Sequence, residues 1–188
     1  MPVTTIDPKP ALVVIDLQKG ILTAPTVHPV DGILDRAASL ATAFRRHGLP
    51  VVLVNVAGGA PGRTEAGARA SGQTRPADWA DLAEELDVRP GDHLVTKHRW
   101  GAFHGTGLDE LLQGLGVTQV VLAGIATSLG VESTARAAHE HGYHVVLATD
   151  AMTDLDADAH ENSIGRIFPR LGETASTGEI VDVLDSTR

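Results

Sequence analysis

Asp16 closes the apolar run Ala11-Leu12-Val13-Val14-Ile15, and Lys97 closes a shorter one after Val95 and Thr96. A carboxylate at the end of a buried strand must be solvated, paired or put to use, because burying it unpaired costs several kcal/mol. The plain alternatives are an aspartate that caps the following turn and a lysine that snorkels to the surface. Both set at strand ends, the two can form a pair in which each tunes the other's pKa, as an acid or base working near neutrality requires. Gly124-Ile-Ala-Thr-Ser-Leu-Gly130 follows a third apolar run. Backbone N–H groups in such a turn can bind an oxyanion or a carboxylate, although two glycines also suit an ordinary tight turn. The chain has no cysteine, which removes thiol nucleophiles, disulfides and Cys-ligated zinc.

Other chemistry-bearing groups are weaker. Gly105-Thr-Gly107 lacks the third glycine and the strand-to-helix setting of a dinucleotide fingerprint, and no Walker sequence is present. His139, His141 and His144 are close in sequence, but positions 139 and 141 face different sides of a helix, so scattered surface histidines are the better account and no metal is expected. Thr127, Ser128, Ser133 and Thr134 have no activating base nearby in sequence. Aromatic residues are too few for a base-stacking platform.

The elements that must position these residues alternate along the chain. Apolar runs at 11–15, 51–56, 93–97, 119–123, 144–148 and 173–175 read as strands, several buried on both faces. Helix-period stretches lie between them: Val30 to Phe44, stopped by Gly48; Leu108 to Leu115; Val131 to His141; and residues 158–168. Thr106-Gly-Leu-Asp109 predicts a capping box, with Asp in place of Glu, and Ser176-Thr-Gly-Glu179 predicts a standard one opening a helix over 178–185. Alternating strands and helices with right-handed crossovers give the α/β class: a mainly parallel sheet in a three-layer α/β/α sandwich. In such folds ligands sit beyond the carboxyl ends of the strands. Those ends carry Asp16, Gln18, Asn55, Lys97, the 124–130 turn and Asp150. Residues 57–80 break the pattern, and a connection that long predicts a functional or mobile loop.

Composition sets the outer limits. The 188 residues, 43% of them hydrophobic, predict one globular domain over 1–188. The 24 acidic against 15 basic residues give a net charge of −9, which argues against a nucleic-acid partner. No apolar run approaches ~18 residues, and no basic segment with an apolar core opens the chain. Without a membrane segment or an export signal, the expected location is cytoplasmic.

Val-Val-Ile-Asp16-Leu-Gln18, Thr-Lys97-His-Arg-Trp-Gly-Ala-Phe103 and Gly124-Ile-Ala-Thr-Ser-Leu-Gly-Val-Glu-Ser-Thr-Ala-Arg-Ala-Ala138 stand in an order and spacing that resemble the isochorismatase-like, or cysteine hydrolase, superfamily. Ala-Thr-Asp-Ala-Met-Thr-Asp154 and Ile-Phe-Pro-Arg-Leu-Gly172 extend the resemblance over roughly residues 8–185. It implies a Rossmann-like fold with six parallel strands between helices. Most members use an Asp–Lys–Cys triad; the resemblance sets Asp16 and Lys97 at the first two positions and Gly130 at the third. Members that cleave isochorismate also keep Asp and Lys and place Gly there.

What this implies is a hydrolase with no side-chain nucleophile and no cofactor. A protonated Asp16 would act as general acid on the vinyl ether of isochorismate, releasing pyruvate, with Lys97 setting the charge balance. The resemblance further implies a cis Ile125–Ala126 peptide beside an oxyanion hole that includes Thr127. Gln18, Trp100 and Phe103 are expected around the substrate, and Arg99 with one of Arg63, Arg69 or Arg75 is expected on its carboxylates. The Ala126-Thr127-Ser128 and Val131-Glu-Ser-Thr134 strings resemble the amidase branch instead. Two alternatives therefore stay open: a hydrolase of another small amide or ester, or a catalytically silent ligand-binding member. A small-molecule substrate and a homodimer or higher homo-oligomer are the expected partners.

Overall fold

The computed structural model describes residues 3–60, 62–65 and 75–188. Six strands form one sheet: β1 (Pro10–Ile15), β2 (Val51–Val56), β3 (His93–Lys97), β4 (Gln119–Ile125), β5 (His144–Thr153) and β6 (Glu173–Ala175). Their order is β3-β2-β1-β4-β5-β6, and every neighbouring pair is parallel. Among the described residues the α-helices include α1 (Lys19–Leu22), α2 (Val30–Arg46), α3 (Leu108–Gly114), α4 (Glu132–Glu140), α5 (Ala157–Asn162) and α6 (Thr177–Thr187).

The continuous apolar strands are buried on both faces because helices cover both. Leu12 and Val14 of β1 point into one core with Ile33, Leu40 and Phe44 of α2 and Ile180 and Leu184 of α6. Ala11, Val13 and Ile15 point into the other with Leu108 and Leu112 of α3 and Ala135 and Ala138 of α4. Each fully buried Leu or Phe contributes about 1.5–3 kcal/mol, so the period-two alternation along β1 fastens the central strand to both helical layers. The sandwich is the three-layer α/β/α arrangement that the alternation predicts.

Local signals succeed where a side chain has only one use. Ser176 caps α6 reciprocally: its hydroxyl accepts from the Glu179 amide, and the Glu179 carboxylate accepts from the Ser176 amide. The capping box expected at Thr106 does not form. Gly107 is the N-cap of α3, the Thr106 hydroxyl donates to the Ala102 carbonyl, and the Asp109 carboxylate accepts from the Tyr143 hydroxyl at 2.7 Å. The helix expected over 158–168 is α5 followed by a wider, π-type turn at Ser163–Ile167 and a tight turn at Phe168–Arg170 containing Pro169. β5 also outruns its apolar stretch. After an irregularity in its pairing with β4 it resumes beside Gly124 and Ile125 and runs to Thr153, while Asp150 accepts from the Thr177 amide and hydroxyl at the start of α6.

Candidate active site

The strand order reverses between β1 and β4, so their carboxyl ends open a crevice at the switch point. Asp16 follows β1 directly. Its backbone is in the left-handed region, with φ 54°, a conformation that costs L-residues energy but that Asp tolerates better than most. The turn at this residue swings its carboxylate to the crevice instead of continuing the strand. Across β1 from β2, Gly124 has φ +122° and lies against Ile15, where a Cβ would stand 2.0 Å from the Ile15 carbonyl oxygen. The Ile125–Ala126 peptide is cis, and the chain then makes a wide π-type turn, Thr127–Val131, before α4. Such turns concentrate at functional sites.

Lys97, at the end of β3, reaches beneath this crevice. Its Nζ donates to Asp16 Oδ2 at 2.7 Å and to the Arg99 carbonyl at 3.1 Å, and the residue is only 1% exposed. Lys97 is therefore an interior cation paired to a carboxylate, not a surface lysine. Among the described residues, Asp16 Oδ1 is a buried side-chain oxygen without a hydrogen-bond partner. Burial raises the Asp16 pKa from an ordinary 3.8 to about 6, and the Lys97 charge and hydrogen bond pull against that rise. Burial outweighs the neighbouring cation. The Gly130 Cα looks onto the same carboxylate: a Cβ there would lie 3.2 Å from Asp16 Oδ2 and 3.0 Å from Ile15 Cγ2.

These groups line a cavity of about 280 Å³ together with Arg99, Trp100, Ile125 and Ala126, the scale of a small-metabolite site. Seven of the ten residues singled out in the sequence thus meet in one place: Asp16, Lys97, Arg99, Trp100, Ile125, Ala126 and Gly130. Gln18, Phe103 and Thr127 are not among its lining residues. Gln18 is fully buried and serves the backbone; its Nε2 donates to the Val56 and Trp79 carbonyls and its Oε1 accepts from the Val56 amide. Phe103 stacks on His141, with ring centres 5.1 Å apart. Thr127 is buried with its hydroxyl 2.9 Å from His160 Nδ1, so a base does stand beside one of the turn's hydroxyls, 33 residues away in sequence.

The long connection after β2 supplies the rest of the wall. Of its arginines, Arg75 lines the cavity with its guanidinium 4.0 Å from the centre of the Trp79 ring; Arg63 is exposed and away from the lining, and Arg69 lies outside the described residues. Trp79 packs so closely on Gly20 that a Cβ there would fall 2.0 Å from its ring. Its main chain is fixed by the Gln18 side chain and by the Gly20 amide, which donates to the Trp79 carbonyl at 2.9 Å. Both tryptophans of the chain, Trp79 and Trp100, therefore face the cavity, with Leu129 and Leu155 adding apolar surface. Trp79 and Leu155 were not legible from sequence, because each sits in a connection with no period to read.

A second cavity, larger at about 500 Å³, lies between α2 and the end of β5 and is lined by His28, Arg36, Asp150 and His160. Asp150 belongs here and not with Asp16, since it pairs with Arg36 and holds the start of α6. Burial, aided by the nearby His28, holds the His160 pKa below its ordinary value. The smaller cavity is the candidate active site: it holds the buried Asp16–Lys97 pair and the free carboxylate oxygen. Among the described residues no group of three or more His, Cys, Asp or Glu is disposed to hold a metal ion, and no helix is long and apolar enough to cross a membrane.

Residues 10–179 match the isochorismatase domain. An uncharacterized isochorismatase family protein of Bacillus subtilis, YwoC, is 42% identical over 182 residues, covering 93% of each chain. A solved isochorismatase family protein from Burkholderia thailandensis superposes with a TM-score of 0.88 at 40% identity, covering 96% of this chain and 98% of that one. Maleamate amidohydrolase of Pseudomonas putida is 28% identical over 185 residues, 94% of this chain and 87% of its own.

Proposed function

The chain belongs to the isochorismatase family of hydrolases, and on that footing we propose that it hydrolyses the vinyl ether of isochorismate, or of a similar small carboxylated compound, with Asp16 as general acid. One observation carries this reading: in a chain without cysteine, a buried carboxyl that lines the cavity has its pKa raised to about 6, with Oδ1 left without a hydrogen-bond partner and Oδ2 close to Gly130. Protonated Asp16 gives its proton to the terminal vinyl carbon, leaving an oxocarbenium ion. Water adds to that cation and returns a proton to the carboxylate. The hemiketal then collapses, its hydroxyl proton passing to the ring oxygen, to give pyruvate and 2,3-dihydro-2,3-dihydroxybenzoate. Lys97, fixed by Asp16 and the Arg99 carbonyl, stabilises the carboxylate once its proton has gone. Arg75 at the cavity edge is placed to meet a substrate carboxylate, and Trp79 and Trp100 offer flat apolar walls.

A second reading is favoured by the amide-cleaving name of the maleamate relative. With no thiol, water would be the nucleophile and ionised Asp16 its base. The two readings differ in the sign of their pH dependence. An acid must be protonated, so kcat/KM for pyruvate release should fall as pH rises through about 6. A base must be ionised, so amide hydrolysis would rise over the same interval. A lactate dehydrogenase-coupled assay of isochorismate between pH 5 and 8 tests the proposal; no pyruvate from well-folded protein would reject isochorismate as substrate.

A further inference from the structure

Thr134 lies one helical turn beyond Gly130 and lines no part of the cavity. Its hydroxyl nevertheless joins the two segments from which the site is made. Oγ1 donates to the Gly130 carbonyl at 2.7 Å and accepts from the Ala102 amide at 3.1 Å, and all three residues are buried. The first bond is common for a threonine in a helix, which often bonds back to the carbonyl four residues earlier. The second is not local. It ties the start of α4 to the strip 98–102 that carries Arg99 and Trp100, and Gly101 lies flush on the same helix, where a Cβ would meet the Ser133 carbonyl oxygen at 3.4 Å.

The contacts close into a ring. Asp16 accepts from Lys97, Lys97 also donates to the Arg99 carbonyl, and three residues on the Ala102 amide donates to Thr134. Thr134 holds the Gly130 carbonyl, and Gly130 abuts the Asp16 carboxylate. We propose that Thr134 is a positioning residue that fixes the separation between the Gly130 turn and the Lys97–Ala102 strip, and so sets how Lys97 meets Asp16. Without its hydroxyl, the Ala102 amide becomes a buried donor with no acceptor, and the strip shifts to satisfy it. The Arg99 carbonyl moves with the strip, and Lys97 loses its second anchor. For catalysis the inference rests on the role given to Asp16 above; the effect on the ion pair does not depend on substrate.

The test compares wild type with Thr134→Val, which keeps shape and removes the hydroxyl, and Thr134→Ser, which restores it. The Asp16 carboxyl is titrated by ¹³C NMR, its resonance assigned by its loss in Asp16→Asn. The charged groups that line the cavity with Asp16 are Lys97, Arg99 and Arg75, and only the contact with Lys97 is altered directly. In Thr134→Val the Asp16 midpoint should move to higher pH, because a poorly held cation favours the carboxylate less. With isochorismate, kcat should fall by about 10- to 100-fold, the scale of a misplacement near 1 Å, and Thr134→Ser should recover both values. A folded Thr134→Val with an unmoved midpoint overturns the inference, as does a Thr134→Ser that behaves like valine. Wild type inactive on isochorismate, with the midpoint still moved by valine, rejects the substrate and upholds the positioning role. If Thr134→Val does not fold, Thr134→Ala is read in the same way.

Discussion

Asp16→Asn should lose pyruvate release by about 10²- to 10⁴-fold, the range that one positioned acid contributes. Asparagine keeps the shape of the side chain but has no acidic proton to give to carbon. The substitution also leaves the buried Lys97 ammonium without its counter-charge, held by neutral acceptors such as the Arg99 carbonyl. Removing one partner of a buried pair costs about 3–5 kcal/mol, so activity must be scored on protein shown to be folded by circular dichroism and urea titration. Against that loss, the burial that raises the Asp16 pKa penalises the ionised carboxylate itself, and the neutral amide escapes the penalty. A folded variant that still releases pyruvate at the wild-type rate would remove Asp16 from the mechanism.

Gly124→Ala should be the most damaging single methyl in the sheet. Its Cβ would sit 2.0 Å from the Ile15 carbonyl oxygen and 2.7 Å from the Ile15 nitrogen, both backbone atoms of the neighbouring strand, and φ +122° is a value that alanine rarely adopts. Neither obstacle is the flexible end of a side chain, so relief requires β1 and β4 to separate at the last pair of their register, beside the candidate site. Steric overlap and backbone strain add, and a loss of about 4 kcal/mol or more is expected. Equilibrium urea unfolding measures it. A midpoint within experimental error of wild type would mean that the Ile15–Gly124 contact is far looser than its geometry.

Most of the architecture could be read from the chain because its signals are local and repeated. The apolar runs at 11–15 and 120–123 have no polar residue to hide, so they belong between two helical layers, and Ser176 with Glu179 has one geometry that satisfies both. The Asp16–Lys97 pair was legible for a different reason: two charges at the ends of buried strands have few places to go. What stayed hidden depends on distant partners. Gln18 stands beside Asp16 in sequence, but its amide is consumed by Val56 and Trp79. Asp154, buried with Oδ2 accepting from the Ser128 amide at 2.6 Å, braces the 124–130 turn from a strand end read only as part of a motif. Thr127 meets His160 across 33 residues that no periodicity connects. A hydroxyl, an amide and a carboxylate each have several equivalent uses in a fold, and only packing selects among them.

Trp79 and Trp100 are the whole tryptophan complement of the protein, and both line the cavity beside Asp16. Excitation at 295 nm therefore addresses the candidate site alone, since no indole elsewhere adds a constant background. Entry of a ligand changes the polarity around both rings and the stacking of Arg75 on one of them. The intrinsic emission of the unmodified protein thus serves as an optical gauge of occupancy, able to rank unknown metabolites by affinity before any product is identified.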